Sequence, residues 1–218
     1  MAVVIIPAMA QPDFSPSADR NKHPIAQLLR KILPAQGTAL EIASGTGQHV
    51  EWFAEQLPGW TWQPTEVHRG ALYNIEARVA QAALANVLDP MVLDVRSDHW
   101  FADVQPGSPA MTGPLFDLIF CANMLHIAPW DACPALMRGA ARHLAPGGLL
   151  VSYGPYFENG VPPAPGNVEF DQSLRQHDAS WGIRQRGDVE QEAARVGLRL
   201  EARHSMPANN LILVWARS

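Results

Sequence analysis

Thr38-Ala-Leu-Glu-Ile-Ala-Ser-Gly-Thr-Gly47 decides the fold. Its first six residues form a short apolar run interrupted by one carboxylate, and the run opens directly onto Gly45 and Gly47. Val50, Phe53, Ala54 and Leu57 then recur at helical spacing until Pro58-Gly59 stops them. Strand, glycine turn and helix in succession begin an open parallel sheet. Glycines at that turn let the backbone bend tightly and approach a ligand closely.

The same alternation extends outward. Upstream, Ile25, Leu28, Leu29, Ile32 and Leu33 mark an amphipathic helix over 24–33, with Pro24 suited to its first turn. Residues 11–24 are polar, hold Pro12, Pro16 and Pro24, and read as an arm or loop. Downstream, Trp60–Glu66 is a second strand, a helix falls near 70–85, and Pro90–Asp94 is a third strand. Phe116–Ala122 is a fourth strand, apolar enough to be buried on both faces. A helix over 130–144 and the turn Pro146-Gly147-Gly148 lead to a fifth strand, Leu149–Tyr153. Residues 154–184 are too long and too rich in Pro and Gly for an ordinary connector, and their aromatics and paired charges suit an ordered lid. A helix near 186–196 precedes two final strands, Leu198–Ser205 and Asn210–Arg217, whose direct connection predicts an antiparallel addition. The expected organisation is a 1–23 arm and a single α/β domain over 24–218, with helices on both sheet faces and 154–184 as a lid-like insertion.

Composition bounds the function. The chain has 218 residues, 47% of them hydrophobic and 17% charged, which suits a packed core and excludes a disordered tail. Sixteen Lys and Arg stand against 21 Asp and Glu, a net charge of −5 that argues against nucleic acid as partner. No apolar run is long enough to span a bilayer, so no membrane partner is expected. Cys121 and Cys133 lack neighbours at ligand spacing, so no metal site is expected, and Cys121 reads as a core thiol. The apolar start, Met1–Ala10, lacks the basic residues of an export signal, so a cytoplasmic setting is expected. Oligomeric state is not readable.

Candidate site residues fall at the carboxyl ends of the strands, where open α/β sheets bind ligands. Gly45 and Gly47 form the turn; Val50 stands where a dinucleotide fingerprint needs its third glycine, which argues against an NAD-dependent oxidoreductase. Glu66, nineteen residues after Gly47, ends the second strand, where its carboxylate either accepts from ribose hydroxyls or is a surface group. Asp94 ends the third strand and either meets an adenine amino group or caps a helix. Asn123, Met124 and His126 follow the fourth.

Glu41-Ile-Ala-Ser-Gly-Thr-Gly47, Glu66, Asp94 and Asp117-Leu-Ile-Phe-Cys-Ala-Asn123 resemble the successive motifs of class I S-adenosylmethionine-dependent methyltransferases, with Ala43 replacing the usual first glycine of the loop. More narrowly, the chain resembles the DUF938 group, through Asp19-Arg-Asn-Lys22, Asn123–Trp130, Tyr153-Gly-Pro-Tyr156, Phe170–Arg175, Trp181–Arg184 and Met206–Leu211. The group's usual arm begins with Glu where Asp19 stands here. The resemblance implies a Rossmann-like, seven-stranded methyltransferase sheet with an antiparallel last strand, S-adenosyl-L-methionine as cofactor, and a small-molecule methyl acceptor at S, N or O. It implies cofactor contacts from Arg20, Asn21, Glu41, Ala43, Ser44, Gly45, Gly47, Glu66, Asp94, Val95, Asn123 and Met124. His126 is the first choice for a base that assists the acceptor, and Tyr153 a second, orienting choice; both could also be structural. Tyr156, Asp171, Arg175 and Trp181 are candidate substrate contacts, with pocket wall and lid ion pairs as the alternatives. A non-catalytic cofactor-binding or interaction protein is the remaining rival.

Overall fold

The computed structural model describes residues 12–101 and 115–218. Met1–Ala10 and the greater part of the predicted 95–114 loop lie outside the described residues. β1 (Gly37–Ile42) runs parallel to β2 (Trp60–Glu66) on one side and to β4 (Phe116–Ala122) on the other. The short β3 (Met91–Val92) extends β2, and β5 (Leu144–Phe157) extends β4, both in parallel. Beyond β5 lie β8 (Asn210–Arg217), antiparallel to it, and then β7 (Leu198–Met206). The strand order β3-β2-β1-β4-β5-β8-β7 places the reversal of winding between β1 and β4. In open α/β sheets such a point is where a ligand crevice lies, over the carboxyl ends of both strands.

Alternation along the strands sends side chains into two cores. Leu118 and Phe120 of β4 meet Ile25 and Leu29 of α1 (Pro16–Ile32), Val50 and Phe53 of α2 (Gln48–Gln56), and Ile75 of α3 (Leu72–Ala82). Ile119 and Cys121 of the same strand meet Leu136, Met137 and Ala140 of α4 (Ala132–His143), with Val189 and Ala193 of α6 (Arg186–Arg195). Burial on both faces explains the unbroken apolar run of β4.

Three expectations are corrected. The stretch read as an arm or loop is largely helix, because α1 begins at Pro16, where the Ser15 hydroxyl accepts from the Ala18 amide at 3.3 Å. Pro16, not Pro24, fills the first turn; Pro24 lies inside the helix, where it offers no N–H to the Arg20 carbonyl. The fifth strand is longer than predicted, because Pro146-Gly147-Gly148 makes a bulge in β5 and not a turn before it. Across that bulge Phe116 pairs with Leu144, but Leu118 pairs with Leu149. The 154–184 insertion begins as the end of β5, carries α5 (Pro165–His177), and closes with β6 (Arg184–Gln185), which pairs with Tyr156 and Phe157.

Gly139 shows how tightly α4 packs. A Cβ there would stand 1.8 Å from Cζ2 of Trp100, a ring that is itself stacked on His143. On an open helix face, Gly to Ala would stabilise by about 1 kcal/mol. At this position Gly139→Ala is expected to destabilise by about 1–3 kcal/mol, because a buried indole must move. Thermal unfolding should show a midpoint several degrees lower; a raised midpoint would mean that Trp100 does not pack here.

Candidate functional site

The loop after β1 is built for close approach. Gly45 and Gly47 have φ of 56° and 76°, and a Cβ on Gly47 would stand 3.1 Å from Cα of Ile75. Ala43 also adopts a left-handed φ of 54°, a conformation that disfavours any residue with a Cβ. A glycine would meet this backbone demand without penalty; Ala43 meets it under strain. Ser44 locks the loop onto β2: its amide donates to the Thr65 carbonyl at 2.8 Å, and its hydroxyl accepts from the Thr65 amide at 3.2 Å. Glu66 comes to the same loop, with one carboxylate oxygen accepting from the Gly45 amide at 3.0 Å and the other from the Val67 amide at 2.7 Å.

Glu41 lies beneath this loop. Both of its carboxylate oxygens are enclosed and have no hydrogen-bond partner. Burial pushes the carboxyl up to about 8; the Ser44 hydroxyl opposes the shift and the Glu66 charge adds to it. Asp94 pairs with Arg96 at 2.8 Å, which holds it below the usual carboxylate range. Val95 is buried in the core, and its carbonyl takes the Trp100 indole N–H at 3.1 Å.

The start of α1 closes one side. Asn21 is buried, and its Oδ1 lies 2.6 Å from Nε2 of buried His49, which makes that nitrogen the donor. Asn21 and Arg20 stand near enough to the Tyr153 phenol to oppose its shift, but burial, the larger cause, raises it above its usual range. Arg78 secures this side by donating to the carbonyls of Thr46 at 2.9 Å and Asp13 at 2.8 Å. His49 and Arg78 escaped the sequence reading. The only signal for His49 is its place two residues after Gly47 on the buried helix face.

Asn123 follows the end of β4, and its φ of 62° turns the chain into the single helical turn of Met124, Leu125 and His126. The Asn123 amide donates to the Tyr153 carbonyl at 2.8 Å, which joins the ends of β4 and β5. His126 is buried; a Cβ on Gly154 would stand 3.2 Å from its Nδ1, and Phe170 of α5 meets its ring edge-on at 5.6 Å. Burial first, and the Arg184 charge second, lower its pKa to about 4, so the imidazole is neutral near pH 7. Arg184 holds the insertion down: it donates to the carbonyls of Leu125 at 2.8 Å, Ser180 at 3.0 Å and Ala128.

Two proposed substrate contacts are engaged elsewhere. Tyr156 faces the opposite core, where its hydroxyl donates to the Ser152 hydroxyl at 3.0 Å, so it does not reach the crevice. Asp171 accepts from Arg175 at 2.9 Å and from the Ile183 amide at 2.7 Å, which makes it a brace within the insertion. Arg175 completes that brace but stays half-exposed, and Trp181 stacks on His177 at 5.6 Å. Among the described residues no group of three or more His, Cys, Asp or Glu is placed to hold a metal ion, and no helix is long and apolar enough to cross a membrane.

The model of a family described as a protein of unknown function, DUF938, matches residues 12–217. The chain belongs to the DUF938 family. Its fold is that of class I methyltransferases. An O-methyltransferase family protein from Burkholderia thailandensis aligns over 90% of this DUF938 chain and 56% of its own, with a TM-score of 0.73 at 14% identity. CalO1, the methyltransferase in calicheamicin biosynthesis in its SAH-bound form, gives 0.70 at 15% identity over 93% of this chain and 54% of its own. An O-methyltransferase family 2 protein from Planctomyces limnophilus, in complex with apigenin, gives 0.69 at 14% identity over 90% and 62%. The DUF938 chain thus spans little more than half the length of the solved structures it matches.

The residues present fit an S-adenosyl cofactor. The loop offers open space at Gly45, Glu66 keeps unused acceptor positions on both oxygens, and Glu41 is a buried carboxyl group without a charged partner.

Proposed function

We propose that this protein transfers a methyl group from S-adenosylmethionine to a small-molecule nucleophile. The observation that carries the reading is the placing of two groups after the carboxyl ends of the adjacent parallel strands β1 and β4. A carboxylate-flanked glycine loop follows the first, and a buried neutral imidazole under an aromatic side chain follows the second.

When bound, the cofactor supplies a sulfonium methyl group open to in-line attack. This chain's residues orient and enclose. Gly45 and Gly47 bring backbone against the ligand, Glu66 accepts from ribose hydroxyls, Asp94 accepts from the adenine amino group, and Asn123 and Met124 border the ring. Arg20 takes the carboxylate of the methionine end. Holding nucleophile and methyl carbon in line is the main catalytic contribution, because displacement at a sulfonium needs little further activation.

His126 accepts a hydrogen bond from the attacking O–H, N–H or S–H and so fixes the lone pair that attacks. A conjugate acid near 4 makes it a weak base, so the imidazole orients that proton and does not store it; as the bond to the methyl carbon forms and the O–H, N–H or S–H bond breaks, the proton passes to solvent. Its contribution is lost only in acid, as the ring protonates on passing below its lowered pKa, and is level between pH 6 and 8. Tyr153, its pKa raised by burial, remains a phenol at neutral pH and presents its O–H to the acceptor. The 154–184 insertion acts as the lid, with Phe170 and half-buried Trp181 as its apolar surface. A cytoplasmic setting is part of the same proposal.

A labelled-methyl screen against pooled hydroxyl compounds, thiols and amines tests the reading. Hydroxyl compounds come first because the similar structures include O-methyltransferases. A labelled product is expected, and His126→Ala should lower its turnover about 100-fold, within the range for loss of a positioned proton partner. S-adenosylhomocysteine binding with no product from any class would favour a cofactor-binding protein without turnover.

A further inference from the structure

We propose that Glu41 carries its own proton in the ligand-free protein and releases it when the ammonium group of an S-adenosyl ligand docks against its carboxylate; this rests on the cofactor reading above. Glu41 then distinguishes nucleosides that carry an amino-acid end from those that do not.

The geometry leaves Glu41 no charged partner among the described residues. Its residue pairs in register with Pro64 of β2 and Phe120 of β4, neither of which offers a side-chain donor. Both oxygens are enclosed without a hydrogen bond, and an ionised carboxylate in that state is strongly disfavoured. The groups around it do not supply a cation. Glu66, from β2, is a like charge, and the Ser44 hydroxyl of the loop, which accepts from the Thr65 amide, opposes the shift only as a neutral donor. Cys121, from β4, is a thiol that burial pushes up to about 12. His49, from α2, is held neutral, its pKa lowered to about 4 by burial and by Lys22 of α1. Lys22 is itself paired with Asp19 at 2.7 Å.

The proton balance follows. The carboxylic acid O–H breaks, the carboxylate accepts from the ligand's ammonium N–H, and the proton passes to buffer. Because burial holds the empty group near 8 and the ion pair returns it to the carboxylate range, about one proton is released per ligand near pH 7. The release fades as the pH rises past the raised value, where the empty protein is already ionised.

Titration calorimetry with S-adenosylhomocysteine at pH 7, in phosphate and in Tris, reads this directly, because the two buffers take up a proton with different heats. The expected result is a buffer-dependent enthalpy equal to about one proton released. Adenosine, which lacks the amino-acid end, should bind without release, as should S-adenosylhomocysteine with Glu41→Gln. A second reading needs no variant: the infrared difference spectrum of the unaltered protein should lose a carboxylic acid C=O band and gain a carboxylate band on adding S-adenosylhomocysteine. Equal heats in both buffers with an unchanged band would overturn the proposal. So would equal release with adenosine, or undiminished release from Glu41→Gln. Failure of S-adenosylhomocysteine to bind at all is a separate result, and it overturns the cofactor reading together with this one.

Discussion

Glu66→Ala is expected to weaken S-adenosylhomocysteine binding by about a hundredfold or more. Each hydrogen bond from a ribose hydroxyl to a carboxylate contributes about 1.5–3 kcal/mol, and each 1.4 kcal/mol is a tenfold change in affinity, so losing two exceeds that factor. The same substitution frees the Gly45 and Val67 amides that Glu66 now holds at 3.0 and 2.7 Å, which loosens the loop before any ligand arrives. Both effects act in one direction. Glu66→Gln keeps one acceptor oxygen and should fall between the two proteins, at roughly tenfold. Calorimetry on the three proteins checks the order. Affinities within about threefold of one another would remove Glu66 from the site.

The ligand side of the crevice was more legible than the acceptor side, and the reason is physical. The loop from Glu41 to Gly47 is local: strand, turn and helix are contiguous, and backbone with positive φ leaves its mark in Gly45 and Gly47. The fourth strand was legible because burial on both faces removes polar residues altogether. Contacts between distant segments leave no such mark. α1 begins eight residues earlier than the apolar spacing suggests because Ser15 is fixed by its cap and by Gln48, thirty-three positions along the chain. α5 went unread because only Leu174 of its thirteen residues is buried, so it has almost no apolar stripe. Tyr156 was a readable error. Three positions from Tyr153 on one strand, it must point to the opposite face, and that face is core.

Arg184→Ala should have the larger effect on the intact fold. One guanidinium ties the carbonyls of Leu125 and Ala128, on the turn that carries His126, to that of Ser180 in the insertion. Its planar set of donors reaches acceptors in several directions at once, and it also lies 5.6 Å from the Trp130 ring. Removing it leaves three carbonyls to find water in a half-buried place. With each charged hydrogen bond contributing about 1.5 kcal/mol or more, and partial rescue by solvent, a loss of about 2–4 kcal/mol in unfolding free energy is expected. Turnover should fall further than cofactor affinity, because the turn holding His126 and the insertion whose Phe170 meets its ring both loosen while the Gly45 loop is untouched. Arg184→Lys keeps the charge but presents a single compact donor group, so it should recover only part of the stability. Denaturant unfolding of the three proteins, with S-adenosylhomocysteine titrations beside it, separates the two consequences. If Arg184→Ala unfolds like the unaltered protein, the clamp does not hold the insertion to the acceptor turn; if it weakens S-adenosylhomocysteine binding as strongly as Glu66→Ala, the two sides of the crevice are one mechanical unit.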